Sequence, residues 1–297
     1  MPRRPDAPPA SVAAAALARA ALAEDRAAQD RTTRAVLPRA VPATARVVAQ
    51  APGVLSGVSV ARALARAAGV RVVSARGDGH RLRRGEVVLT VRGDARRILS
   101  LERTLLNVLM HASGVATTTA AAVRAARGGR HPLEVWATRK TLPGLRDLEK
   151  AAVVHGGGRP HRRDLADGLL VKNNHLALVP LAAAIRRARS AAGRGETVEV
   201  EVRTKTAAVR AARAGADAIL IDNATPARAR AIVRALERAG LRRRVWVELS
   251  GGLTPANVRA YRGVGADAAS LGSLTHSARA LPFHLELRPA RLSPRAN

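Results

Sequence analysis

Six short apolar stretches recur through the second half of this 297-residue chain, and they constrain its fold more than any other feature. They lie at 133–138, 168–172, 197–202, 218–222, 245–249 and 268–271. Helix-patterned segments at 180–192, 207–214 and 226–239 separate three of the pairs, which argues for parallel strands joined by right-handed crossovers. Polar residues fall consistently at the C-terminal ends: Arg139 and Lys140, Lys172 to His175, Glu201, Asp222 with Asn223, Ser250 to Gly252, and Gly272 with Ser273. A β/α barrel has that regularity, because it builds its active site at the C-terminal mouth of the strands. Six strands do not demonstrate an eight-stranded closure, and a doubly wound open sheet is the alternative.

The first part of the chain reads as a compact α/β domain of roughly 110 residues, within the usual domain range. Residues 1–10 are expected to be disordered. A helix is expected from Ser11 to about Gln29, broken by Asp30-Arg31-Thr32-Thr33. Strands follow at 46–50, 71–75 and 86–91, with a turn at Pro52-Gly53 and a helix at 59–68. A long helix begins near Asp94. Its buried stripe is Ile98, Leu101, Leu105, Val108 and Leu109, and its other face carries Ser100, Arg103, Asn107 and His111. Ser113-Gly114 reads as a hinge before a further helical segment at Thr117. A last strand at 282–287 is expected to return to the first domain.

Net charge +29 is the strongest bulk feature, and on charge alone it would attract nucleic acid. The arginines are spread along the whole chain, however, and the only aromatic Trp, Tyr and Phe residues are Trp136, Trp246, Tyr261 and Phe283. No stacking platform accompanies the charge, so it reads as a solvated arginine surface and nucleic acid is not the expected partner. No cysteine is present, which excludes disulfides and thiolate chemistry and fits a reducing cytoplasm. No apolar run approaches the roughly 20 residues of a membrane span. Among 51 basic residues only Lys140, Lys150, Lys172 and Lys205 are lysines. A lysine that ends a strand in so arginine-rich a chain points to a need for a compact ammonium.

Arg139, Lys140, His161, Arg162 and Lys172 converge on the ends of two strands and the loop between them, an array suited to a small, multiply charged anion. In Thr197-Val-Glu-Val-Glu-Val202 the valines point one way and Glu199 and Glu201 the other. Carboxylates facing inward need cations, metal or hydroxyl partners; an exposed edge strand is the plainer alternative. Asp222 ends a fully apolar strand in the same manner. The glycines of Ser250-Gly251-Gly252 and Gly272 permit the close backbone approach that a phosphate site after the final barrel strands requires. No His-His-acid spacing indicates a resident transition metal.

These motifs together resemble the quinolinate phosphoribosyltransferase family. The matching segments are Glu102-Arg-Thr-Leu-Leu-Asn107 with Ser113-Gly-Val-Ala-Thr117, Thr138-Arg-Lys-Thr-Leu-Pro-Gly144, Gly156-Gly-Gly-x-x-His-Arg162, Val171-Lys-Asn-Asn-His175, Val198-Glu-Val-Glu201, Ile221-Asp-Asn223, Ser250-Gly-Gly252 and Leu274-Thr-His-Ser277. Glu24-Asp25 and Asp30-Arg-Thr-Thr33 also fit. The resemblance implies a mixed α/β N-terminal domain over 1–115, joined by 281–297, and a partial (incomplete) β/α barrel over 116–280. It also implies a homodimer or higher homo-oligomer with shared active sites, each completed by Arg103 of a neighbouring subunit.

The implied reaction converts quinolinate and phosphoribosyl pyrophosphate to nicotinate mononucleotide, diphosphate and CO2, a step of NAD biosynthesis. The resemblance places Arg103, Arg139, His161, Arg162 and Lys172 on the substrate carboxylates. Lys140 falls on the departing diphosphate with Mg²⁺, Glu201 and Asp222 on ribose hydroxyls or magnesium-bound water, and Ser250, Gly251, Gly252 and Gly272 on the 5′-phosphate. Three positions depart from the family pattern. Pro160 stands where asparagine is usual, Arg163-Asp164 replaces an apolar-glycine pair, and Asn173 stands where an acid is common. A related branch associated with molybdenum transport, acting on a different acidic ring, is the alternative those departures leave open.

Overall fold

The computed structural model describes residues 10–128 and 132–290, so the disorder expected of residues 1–10 lies outside it except at Ala10, which begins a helix. The described chain divides into two compact units. One holds the residues up to Thr118, Pro143–Gly156 and those from Ala278 onward; the other holds Thr119–Leu142 and Gly157–Ser277. Segment 143–156, expected in the barrel half, thus groups with the N-terminal unit.

In the first unit, helix α1 (Ala10–Glu24) ends earlier than expected, where Arg26 adopts φ 50°. Asp30 does not break a helix but starts one: its carboxylate accepts from the backbone N–H of Thr33, capping α2 (Arg31–Val36). Strands β1 (Pro42–Ala49) and β2 (Gly53–Val54) precede α3 (Val58–Ala67), and β3 (Arg71–Ala75), β4 (Arg81–Leu82) and β5 (Val87–Asp94) follow. In β1 the alternating Ala43, Ala45 and Val47 are fully buried, which carries the strand four residues further back than its Val-Val run indicated. The long helix α4 (Ala95–Ala126) runs unbroken through Ser113-Gly114. That pair is a close-packing point and not a hinge. Ser113 Oγ hydrogen-bonds the backbone of Ser56, and a Cβ on Gly114 would lie 2.3 Å from the carbonyl oxygen of Arg279. Helix α5 (Arg146–His155) buries Glu149, whose carboxylate lies 2.8 Å from His111 Nε2.

The second unit contains β6 (Glu134–Trp136), β7 (Leu169–Val171), α6 (Asn173–Leu176), α7 (Leu181–Ala191), β8 (Val198–Val202), α8 (Lys205–Arg213), β9 (Ala218–Asp222), α9 (Pro226–Arg238), β10 (Trp246–Ser250), β11 (Ala268–Ser270) and α10 (Ser273–His276). Its six strands form one parallel sheet in the order β6-β11-β10-β9-β8-β7. Each step from β7 to β11 moves one place in the same direction. A doubly wound sheet reverses direction at a switch point, and this one does not. The arrangement is therefore an incomplete barrel, with β6 returning beside β11. Alongside the edge strand β6, Arg159 continues the pairing: its N–H donates to Val135 O and its carbonyl accepts from Ala137 N–H, both at 2.8 Å.

All five residues of β8 and of β9 are buried, with Ile219 and Ile221 fully enclosed. Burial of each such isoleucine side chain stabilises the fold by about 1.5–3 kcal/mol. Thr204 and Thr225 cap α8 and α9, so each helix starts within a few residues of its strand's end. The last strand, β12 (Phe283–Pro289), pairs antiparallel with β1 and completes the first unit's sheet, β12-β1-β5-β3.

Candidate active site

The C-terminal ends of β6 to β11 bring eleven of the twelve expected site residues into one unit. Arg103 is the exception; it is exposed on α4 in the other unit.

A carboxylate pair stands on the rim. Glu201 and Asp222 end adjacent strands that run parallel in register, and both are 9% exposed. β8 lies between β7 and β9, which disposes of the edge-strand alternative for its glutamates. Lys172 Nζ approaches Glu201 Oε2 at 3.7 Å, and Asn173 Nδ2 donates to Glu201 Oε1 at 2.7 Å and to Asp222 Oδ2 at 3.4 Å. Arg203 donates twice to Asp222 Oδ2, at 2.9 and 2.7 Å, while Asn223 Nδ2 donates to Asp222 Oδ1 at 2.8 Å. Burial pushes the Glu201 carboxyl up; the Lys172 ammonium opposes this and the Asp222 charge adds to it. Asn173 and Arg203 were not among the sequence candidates as ligands of these acids. Position next to a strand end was their only signal.

The phosphate-side residues adjoin this pair. Asn223 N–H donates to Ser250 O, and Asn223 itself adopts φ 49°. Gly251, at φ 86°, packs so tightly that a Cβ there would sit 2.4 Å from Asn223 Oδ1. Ser270 Oγ donates to Ser250 Oγ at 3.0 Å, and Asn257 Nδ2 to Gly252 O at 2.9 Å. The Lys140 stem crosses Gly272, where a Cβ would lie 2.8 Å from Lys140 Cδ. Thr275 Oγ1 fixes the same lysine by donating to its carbonyl at 2.7 Å. Backbone kept bare by glycine and an exposed ammonium thus share one end of β10 and β11.

Arg139 and Arg162, two of the cations expected to hold the acceptor, follow β6 and precede β7. Arg139 Nε is buried with no hydrogen-bond partner among the described residues, an orphaned donor that suits an incoming anion. Burial is the main cause that holds the Arg162 guanidinium below its usual pKa, followed by the charge of Arg139. The two guanidinium groups therefore feel each other, and a shared anion would relieve both. The His161 ring packs against Trp136 with centroids 4.9 Å apart. Beneath it lie Glu199 and Glu248. Glu248, on β10, is not among the sequence candidates, because Val245-Trp-Val-Glu-Leu249 holds one acid where the strand of Glu199 holds two at alternate positions.

A family model described as quinolinate phosphoribosyl transferase, C-terminal domain, matches residues 115–286, and its N-terminal counterpart matches 30–113. A protein of Methanothermobacter thermautotrophicus named probable nicotinate-nucleotide pyrophosphorylase (carboxylating) is 43% identical over 86% of this chain and 92% of its own length. The Homo sapiens protein named nicotinate-nucleotide pyrophosphorylase (carboxylating) is 39% identical over 88% of this chain and 87% of its own. The solved structure of NadC from Streptococcus pyogenes superposes with a TM-score of 0.84 at 38% identity, covering 92% of this chain and 95% of that one. Matched in order through both halves, and with the motif residues gathered at one barrel mouth, the chain belongs to the quinolinate phosphoribosyl transferase family.

Proposed function

We propose that the protein transfers phosphoribose from phosphoribosyl pyrophosphate to quinolinate and decarboxylates the product to nicotinate mononucleotide, as a carboxylating nicotinate-nucleotide pyrophosphorylase. The observation that carries this reading is the buried, unpartnered Arg139 Nε beside Arg162, on the same barrel mouth as the Glu201–Asp222 pair. The cations match a ring with two carboxylates, and the acids match a sugar that becomes positive during transfer.

In this reading Arg139, Arg162 and Lys172 grip the acceptor's carboxylates, His161 supports them, and the ring nitrogen is presented to the anomeric carbon. The N–C bond forms as the bond to diphosphate oxygen breaks. Lys140 meets the departing diphosphate, Glu201 and Asp222 steady the cationic sugar, and Ser250, Gly251, Gly252 and Gly272 receive the 5′-phosphate. Mg²⁺ enters as part of the diphosphate substrate. Both Asp222 oxygens and Glu201 Oε1 already accept hydrogen bonds, so they suit water-mediated contact with that ion. The ribosylated nitrogen is cationic. Loss of CO2 from the adjacent carbon leaves its electron pair next to that charge, and a proton from solvent completes the product.

The exposure of Arg103 supports a homo-oligomer in which it serves a neighbour's site. Among the described residues no helix is long and apolar enough to cross a membrane. With the absence of cysteine this supports action in the cytoplasm.

Incubation with quinolinate, phosphoribosyl pyrophosphate and Mg²⁺ is expected to yield nicotinate mononucleotide, diphosphate and CO2 in equal amounts; no mononucleotide would refute the reading. Mixing Arg103→Ala protein with Lys172→Ala protein is expected to restore part of the activity through hybrid sites. No rescue despite subunit exchange would count against sharing.

A further inference from the structure

The floor of the barrel holds two glutamates with no counterpart in the reaction just described, set beneath His161. His161 Nε2 lies 3.5 Å from Glu199 Oε2 and 3.8 Å from Glu248 Oε2. Glu248 is 0% exposed and Glu199 5%. Both oxygens of Glu248 and Oε1 of Glu199 are buried without a hydrogen-bond partner among the described residues. The nearby Ser270 hydroxyl is engaged with Ser250 Oγ and Leu249 O. In register with Glu248, β9 and β11 place Leu220 and Ala268, which carry no charge. The charged groups that face this pair are therefore His161 and Arg162, with Arg139 next to Arg162.

Two ionised carboxylates cannot share such a place without partners. A proton on one of them resolves the conflict. Arg139, Arg162 and Lys172, the cations assigned to the acceptor's carboxylates, set against a single carboxylate then leave two positive charges. That matches a ring bearing two carboxylates. With both glutamates ionised only one positive charge would remain.

We propose that Glu248 is a specificity-determining positioning residue: its carboxyl carries a proton, shares the floor with ionised Glu199 beneath His161, and so sets the acceptor subsite to the charge of a dianion. The inference rests on the acceptor reading above. Burial first, and the Glu199 charge second, push Glu248 up to about 7, so its proton is present on the acid side of neutrality and lost above it. The same three groups have ligand atoms within 4.8 Å of one another, close enough for a divalent cation. Two guanidinium groups already repel one another beside them, which disfavours a further double charge there and favours the proton.

The experiment is binding of pyridine-2,3-dicarboxylate to the whole protein by calorimetry at pH 6 and pH 8.5, for the unaltered chain and for Glu248→Gln, which mimics the protonated acid. The unaltered chain is expected to lose about tenfold in affinity over that interval, as one charge is withdrawn. Glu248→Gln is expected to change by less than about twofold, a flattening that a merely structural role would not produce. Infrared spectra of the folded, ligand-free proteins should show a protonated-carboxyl band at pH 6 that Glu248→Gln removes. Parallel pH dependence in the two proteins, absence of that band, or uptake of one equivalent of Zn²⁺ or Mn²⁺ by His161, Glu199 and Glu248 would overturn the proposal. Turnover is not the readout, so an absent reaction would sink the proposed function while the infrared result still decides whether Glu248 holds a proton.

Discussion

Two pairs of carboxylates line the same barrel, one turn of strand apart, and they are supported in opposite ways. On the rim, Glu201 and Asp222 are held by Lys172, Asn173, Arg203 and Asn223, with Asp222 accepting at both oxygens. On the floor, Glu199 and Glu248 lie 3.5 and 3.8 Å from His161, near Arg162, and keep oxygens without a hydrogen-bond partner among the described residues. The rim pair can stay charged and hydrogen-bonded until a sugar arrives. The floor pair cannot, and the cheapest way to bury it is to protonate one member. Alternation of acid and apolar residue along β8 therefore gives one carboxylate to the rim, beside Asp222 of β9, and one to the floor, beside Glu248 of β10.

The sharpest way to break this comparison is to neutralise the rim. Asp222→Asn should lower kcat/KM by about 100- to 1,000-fold, since a carboxylate facing developing positive charge is lost while the fold remains. Steady-state kinetics with circular dichroism as a control would check it. Glu248→Gln on the floor should instead show in stability. The folded pKa of about 7 lies above the ordinary glutamate value of 4.5, so the native state binds the proton more tightly. Its contribution is fully present below pH 4.5 and is lost as pH rises to about 7. Glu248→Gln should therefore gain on the unaltered protein by roughly 2–3 kcal/mol across that window and run parallel above it, as read from urea midpoints.

Smaller effects sharpen the rim. Arg203→Ala frees Asp222 Oδ2 and should cost about tenfold in kcat/KM, while Arg203→Lys, which lacks the two-pronged contact, should recover little of it. Far from both pairs, Asp30→Ala removes the cap of α2 and should lower stability by about 0.5–2 kcal/mol with catalysis unchanged.

The barrel strands were legible because they are short, apolar and end in polar residues; all six lie within two residues of their sequence positions. The first unit was harder. The Ala-Thr-Ala start of β1 carries too little hydrophobic signal to reveal a strand, and a fully buried position shows only in the structure. Ser113-Gly114 looked like a break because glycine disfavours helices, yet it is required where Arg279's carbonyl closes on α4. Glu248 escaped notice because a lone acid in an apolar strand lacks the repeat that made Glu199 and Glu201 visible. Arg203 was hidden by the 46 other arginines, scattered over the chain, that dull any single one.

The proposed reaction requires cations at the barrel mouth to grip a ring with two negative charges. The most direct test compares turnover of pyridine-2,3-dicarboxylate with that of pyridine-3-carboxylate, each with phosphoribosyl pyrophosphate and Mg²⁺, following mononucleotide and CO2 together. The dicarboxylate should be converted with one CO2 per mononucleotide and the monocarboxylate at least about 100-fold less efficiently, the scale expected when buried cations are left unpaired. Equal use of the two rings, or conversion of neither, would contradict it.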